Sequence, residues 1–256
     1  MNSFFKSFVM AFSTFSISPK AHAKPDKENT KFILLFVPII GIIIAGLTYG
    51  WTQAWPYLCN YTILPAAIYV LIPMILSGSV HLEGFVKTTD ALRAHKSREK
   101  KMEILADPQS GYFAVIICIC YYLLDMGIWS EMPIDGIPIL AIGFVMSRCL
   151  FGLSILALKH AKESKCAIYV PENKALRAIQ IVLLTVLAMV CSYFMVFFDA
   201  GVGIACVTGA IITFIFCWLV TYKHFDGITE DCAGFFVQLC EIIIPLAALL
   251  AYKKWW

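Results

Sequence analysis

Seven mostly apolar runs alternate with polar stretches along the chain, at about 32–51, 61–79, 112–129, 138–158, 178–198, 201–222 and 233–252. Each is close to the roughly 20 residues that a helix needs to cross a bilayer. The pattern predicts an all-α, polytopic integral membrane helical bundle of about seven spans, built as a single domain over 1–256. Pro38, Pro65, Pro73, Pro138 and Pro245 lie within the spans or at their ends. Membrane helices accept proline where neighbours satisfy the freed carbonyls. Between Phe197 and Gly203 the break is so short that it predicts a tight hairpin, with Asp199 its only charge.

The polar stretches are not equivalent. Lysines 6, 20, 24, 27 and 31 precede the first run, and Lys87, Arg93, Lys96, Arg98, Lys100 and Lys101 follow the second. Lys159, Lys162, Lys165, Lys174 and Arg177 follow the fourth, and Lys223 the sixth. The alternate loops at 52–60, 130–137 and 199–200 carry no lysine or arginine. Positive charge stays inside. The expected topology is therefore a multi-pass protein of the cell (cytoplasmic) membrane with a cytosolic N-terminus, and with loops 80–111 and 223–232 on the cytosolic face. Lys253 and Lys254 are the exceptions.

The N-terminal stretch FFKSFVMAFSTFSISP has the size of a signal peptide, and Ala21-His22-Ala23 resembles a cleavage box. Cleavage would leave the lysines after Ala23 outside. Residues 1–31 are therefore expected to be retained as an interfacial segment on the cytosolic face.

Composition agrees. The chain is 60% hydrophobic and 14% charged, against about a quarter charged in soluble domains. A net charge of +3 carries no nucleic-acid signal, and no nucleic-acid partner is expected. The ten cysteines lack paired CxxC spacing and fall mostly in apolar runs, so they are expected to act as small hydrophobes.

The ionisable residues gather on one side. HLEGFVKTTDALRAH places Glu83, Lys87 and Asp90 four and three residues apart, a spacing that can share a helix face. His81 precedes them, and Arg98 and Lys100 follow. KHFDGITEDCAG supplies Asp226, Thr229, Glu230 and Asp231. Within the spans we single out Arg148 and Glu241, either as a mutual pair or as substrate contacts. Carboxylates from two loops, with basic residues beside them, suit Mg²⁺ and a phosphorylated ligand. The competing reading is a solvated amphipathic loop helix, to which SREKKMEILAD conforms.

SGSVHLEGFVKTTDALRAHKSREKKMEILADPQSGYFAVI closely resembles the signature region of cobalamin synthase, the adenosylcobinamide-GDP ribazoletransferase family. The family pattern is GG-x-H-x-D-G-x-x-D-T-x-D-[GA], then S-R-(D/E)-R and L-E-I-(M/L)-K-D. FDGITEDCAGFFVQLCEI resembles its last signature, G-G-x-T-G-D-x-x-G-A-x-x-E-x-x-E. FVMAFSTFSISP, FVPIIG and MSR resemble further family segments, so the likeness spans nearly the whole chain. The resemblance implies that α-ribazole or its 5′-phosphate is joined to adenosylcobinamide-GDP, with GMP released and Mg²⁺ required. It implies Asp90 and Asp231 as catalytic residues and metal ligands with Glu83, and Asp226, which the family pattern lacks, is a further candidate metal ligand. His81, Lys87, Arg98, Lys100, Arg148, Thr229 and Glu241 would bind substrate. The implied partners are the two substrates and the lipid bilayer, with self-association or other corrinoid-pathway membrane proteins as further candidates.

The chain departs from the pattern at defined points. The family's three aspartates are here Glu83, Lys87 and Asp90, and an ammonium at Lys87 opposes a cation. Asp226 and Glu230 stand where the family has glycine, while Gly227, Thr229 and Asp231 match. A protein of the family fold that binds corrinoid or nucleotide with little catalysis is the alternative. A transporter would want polar residues at the bilayer midplane and an internal repeat. A CDP-alcohol phosphotransferase would need a D-x-x-D-G…G-x-x-x-D-x-x-x-D pattern, which is missing.

Overall fold

The computed structural model describes residues 3–17, 26–57, 63–107, 111–162 and 164–253. Ala21-His22-Ala23 and Lys254 lie outside them. Among the described residues ten α-helices follow one another: α1 (Ser3–Phe15), α2 (Ile33–Ala54), α3 (Ile63–Leu76), α4 (Val80–Arg93), α5 (Arg98–Ala106), α6 (Tyr112–Ser130), α7 (Ile137–Ala157), α8 (Lys174–Phe198), α9 (Ala200–Phe225) and α10 (Glu230–Lys253). Among the described residues there is one isolated parallel bridge, His160 to Ile228, and no strand.

Among the described residues six helices are long and apolar enough to span a bilayer: α2, α6, α7, α8, α9 and α10. The expected second span is instead a pair, α3 and α4, bent by 92°. Gly78 and Ser79 both adopt positive φ at the bend, 59° and 62°. Two consecutive left-handed residues cannot continue a right-handed helix. The helix therefore breaks after Leu76, and the described helices give six spans, or seven if the bent pair is itself one broken span. The bundle is polytopic and all-helical, as the hydropathy pattern predicts.

α7 is the central helix. Its apolar window is 83% buried, against 22% for the peripheral α8. Ile116, Ile119, Leu123, Val182, Leu183, Met189, Ile211 and Phe216 face outward and are exposed. Such an apolar exterior is excluded for a protein surrounded by water and expected for one surrounded by lipid. The predicted hairpin forms between α8 and α9. Asp199 ends α8 and caps α9, its Oδ1 accepting from the Val202 amide at 2.8 Å. This is the ordinary use of aspartate at an N-cap.

The cysteines behave largely as small hydrophobes. Among the described residues none forms a disulfide, and Cys149, Cys166, Cys191, Cys206, Cys217, Cys232 and Cys240 are buried. Helix α1 packs on α2 through a ring cluster of Phe4, Phe8, Phe12, Phe32 and Phe36. Its last residue, Phe15, reaches His81, Phe151 and Tyr169.

Candidate active site

The two signature segments meet where α4 crosses the start of α10. A Cβ on Gly84 would lie 2.6 Å from the Asp231 carbonyl oxygen, and one on Gly234 would lie 3.1 Å from that of His81. Only glycine permits so close a backbone approach. The crossing sets Glu83 and Lys87 of α4 beside Thr229, just before α10, and Glu230 and Asp231 in its first turn. Together with Lys165, and with Met102 and Leu105 of α5, they line a cavity of about 340 Å³.

Thr229 caps α10, its Oγ1 accepting from the Cys232 amide at 3.1 Å. Glu230 and Asp231 occupy the first turn, where the helix dipole favours negative charge. Lys87 Nζ donates to Glu83 Oε1 at 2.7 Å. The Lys87 ammonium is held above its ordinary range, first by that bond, against the opposing effect of burial, and further by the Asp231 charge. A lysine thus sits among the carboxylates, as its position in the sequence suggested.

The expected row on α4 is split. Glu83 and Lys87 line the cavity, but Asp90 does not. Its Oδ2 accepts from the Gly111 amide at 2.5 Å, at the start of α6. A helix N-terminus has free amides and attracts a carboxylate, and here that draw turns Asp90 away from its row. Asp226 also stands apart. It occupies a left-handed turn after α9 and pairs with Lys159 at 2.8 Å, with Arg98 3.9 Å away. Lys159, then Arg98 and Lys162, hold its carboxyl below the usual carboxylate range. Lys100 pairs with Glu103 at 2.7 Å on the exposed side of α5.

His81 is buried between Phe15 and Phe151. Arg148 and Glu241 do pair, deep in the bundle, and both are buried. Arg148 Nη2 also donates to Ser77 Oγ at 3.2 Å, and Gln238 Nε2 donates to Glu241 Oε2 at 3.3 Å. The cluster therefore ties the bend after α3 to α7 and α10. Neither Arg148 nor Glu241 lines the 340 Å³ cavity.

Two features escaped the sequence reading. Asp125, within the α6 span, is buried near Glu241, and its Oδ1 has no hydrogen-bond partner among the described residues. A charge count along that span would have found it. Helix α5 is docked rather than free. Arg98 Nε donates to the Lys223 carbonyl at 2.9 Å, Lys101 Nζ lies 2.9 Å from His224 Nδ1, and Lys101 and Leu105 are buried.

Among the described residues no group of three or more His, Cys, Asp or Glu side chains is placed to hold a metal ion. Mg²⁺ commonly takes only one or two protein carboxylates and completes its shell with water and substrate phosphate oxygens. Glu83, Glu230 and Asp231 border one cavity, so any cation there would rest on one or two of them and on substrate oxygens.

The chain is similar to known proteins over nearly its whole length. An adenosylcobinamide-GDP ribazoletransferase of Lachnoclostridium phytofermentans is 31% identical over 245 residues, 96% of this chain and 94% of that one. The protein of the same name from Clostridium botulinum (strain Alaska E43 / Type E3) is 29% identical over 252 residues, covering 98% and 99%. That of Treponema denticola is 28% identical over 265 residues, covering 93% and 95%. No solved structure matches the chain. The family model described as cobalamin-5-phosphate synthase matches residues 7–249, and the chain belongs to that family.

Proposed function

We propose that the chain is an adenosylcobinamide-GDP ribazoletransferase, joining adenosylcobinamide-GDP to α-ribazole or its 5′-phosphate. The observation that carries the reading is the single cavity formed by both signature segments, with Glu83, Lys87, Thr229 and Asp231 around it. The ribazole hydroxyl oxygen attacks the phosphorus on the cobinamide side. The P–O bond to the GMP phosphate breaks, its electron pair leaves with GMP, and the hydroxyl proton passes to the cavity carboxylates. Such a transfer depends mainly on positioning and charge neutralisation.

Asp231, with Glu83 or Glu230 as a second carboxylate, would hold Mg²⁺, which when bound would supply positive charge to the pyrophosphate oxygens. Lys87 adds a fixed ammonium at the same wall. Thr229 holds the first turn of α10, and so orients Glu230 and Asp231. Asp90 fixes the start of α6 against α4 and acts on the site as a positioning residue. The lysine-rich loops favour a cytoplasmic membrane location with this cavity open to the cytosol.

The direct test is turnover by purified protein in detergent, given adenosylcobinamide-GDP, α-ribazole and Mg²⁺. GMP release matched by corrinoid product is expected. Absence of both under conditions that preserve the fold would refute the assignment. Orientation is read separately from a cysteine introduced at Ser97 in a background lacking native cysteines. It should react with impermeant thiol reagent in inverted vesicles and not from outside intact cells.

A further inference from the structure

Lys253, an exception to the charge rule, stands in the last turn of α10, while Glu230 and Asp231 stand in the first. Beside it an apolar groove of about 790 Å³ runs between α9 and α10, with Gly201, Ala205, Thr208, Ile212 and Ala247 among its walls. That is the size of a small-ligand site. Ile204, Ile212 and Leu250 at its edges are exposed, so the groove opens toward lipid. From Gly201 to Ile212 it follows α9 for eleven residues, about 16 Å at 1.5 Å of rise each. The hydrocarbon core of a bilayer is roughly 30 Å thick, so the groove is one leaflet deep. A spanning helix of a second copy needs a seam along the whole crossing. An acyl chain needs only this half.

The mouth of the groove has a charge pattern of its own. Lys253 lines it, and its Nζ stands 3.5 Å from Glu131 Oε2, with both side chains more than half exposed. So loose and open a pair is worth little and can admit a third partner. Glu131 is the C-cap of α6, where the helix dipole opposes a carboxylate and favours an added cation. Among the described residues this end of the bundle carries Glu131, Asp135 and Asp199 against Lys253, which disfavours a headgroup of net negative charge. One ammonium beside one carboxylate is complementary to a phosphate joined to an ammonium. We infer that the groove binds a phospholipid of the phosphatidylethanolamine type. An acyl chain lies between α9 and α10, the phosphate meets Lys253, and the headgroup ammonium meets Glu131. The site is separated from the acidic cavity by the length of α10 and does not rest on the transferase reading.

Native mass spectrometry of the delipidated full-length protein in detergent, titrated with dioleoyl phosphatidylethanolamine or dioleoyl phosphatidylglycerol, tests the site. The parent should retain phosphatidylethanolamine about tenfold more tightly than phosphatidylglycerol. Ala205→Phe fills the groove and should abolish retention of both lipids. Thr208→Phe repeats the block from an exposed position on the same wall if the first variant does not accumulate. Lys253→Gln should weaken phosphatidylethanolamine binding about tenfold, as loss of a charged contact does. Glu131→Gln removes the partner of the ammonium and should erase the preference between the two lipids. Phosphatidylglycerol held as tightly as phosphatidylethanolamine by the parent, or no lipid retained by it, would overturn the inference. Retention unchanged in a folded blocking variant or in Lys253→Gln would do the same, as would a preference that survives Glu131→Gln. A parent dimer that Ala205→Phe converts to monomer would make the groove a seam between copies, and would also overturn it.

Discussion

The Arg148–Glu241 and Lys87–Glu83 clusters each join a cation to carboxylates, and they are built for opposite ends. Arg148 and Glu241 lie inside the bundle, with side chains 1% and 7% exposed. Lys87 and Glu83 lie at a cavity wall, 15% and 63% exposed. The first is enclosed by Ser77, Ser147, Phe144 and Gln238. The second opens onto space that a phosphorylated ligand can fill. Burial decides the difference. A buried pair is costly to break because either partner alone is a stranded charge. An exposed pair is worth little to the fold and can exchange partners.

The largest expected effect is therefore in the buried cluster. Glu241→Gln or Arg148→Met should each destabilise the protein by about 3–5 kcal/mol, seen as a large fall in the thermal unfolding midpoint in detergent. Arg148→Lys keeps the charge but loses the fork, and should fall between. Replacing both partners by apolar residues should recover much of the loss. A single variant with an unchanged midpoint would erase the distinction between the clusters. Asp125 sharpens the comparison. It is a second buried carboxylate near Glu241 with no salt-bridge partner among the described residues, so Asp125→Asn should be far milder than Glu241→Gln.

The next effect is on chemistry alone. Asp231→Asn should lower turnover by about 10²-fold or more, as loss of a charge-stabilising group does. Its unfolding midpoint should stay near the parent's. If both fall together, Asp231 belongs with the structural cluster. Between these cases lies Gly84→Ala. Its new Cβ would meet the Asp231 carbonyl at 2.6 Å, backbone against backbone, so α4 and α10 must part. Overpacking of this kind typically costs about 1–3 kcal/mol. Here it should also reduce turnover, because the crossing builds the cavity. Unchanged activity would mean that the two signature segments work independently.

The sequence made these two clusters unequally legible. Hydropathy located the spans within a few residues because lipid imposes one length and one polarity on every crossing. It also drew attention to Arg148 and Glu241, since a charge in an apolar run is conspicuous. It did not reveal the 92° bend. That bend arises from Gly78 and Ser79 in left-handed geometry, which a single glycine in an apolar segment does not announce. Nor did spacing separate Asp90 from Glu83 and Lys87. All three share a plausible helix face, and the choice is made by the Gly111 amide, distant in sequence. Helix α5 looked like a solvated helix because its buried Lys101 and its anchor Arg98 are polar residues, whose docking partners at Lys223 and His224 belong to another helix.

The smallest effect on the fold, and the most informative for the cavity, belongs to Lys87. Its bond to Glu83 is a partly exposed i,i+4 pair, worth at most about 1 kcal/mol. The sign of its pH dependence follows from the raised ammonium. Its contribution is complete below the ordinary lysine pKa of about 10.4 and is lost only as pH rises through the still higher folded value. Acidity or alkalinity near neutrality therefore leaves Lys87 charged, and a cation must compete with it for Glu83. Lys87→Asp removes the competitor and adds a carboxylate facing Asp231. The unfolding midpoint should move by no more than about 1 kcal/mol equivalent, while half-saturating Mg²⁺ in the turnover assay should fall. If Lys87 instead grips a substrate phosphate directly, the same substitution leaves the Mg²⁺ requirement unchanged or higher and raises KM for adenosylcobinamide-GDP. Titrating Mg²⁺ at several substrate concentrations separates these outcomes, because the first shifts the metal curve alone and the second shifts the substrate curve.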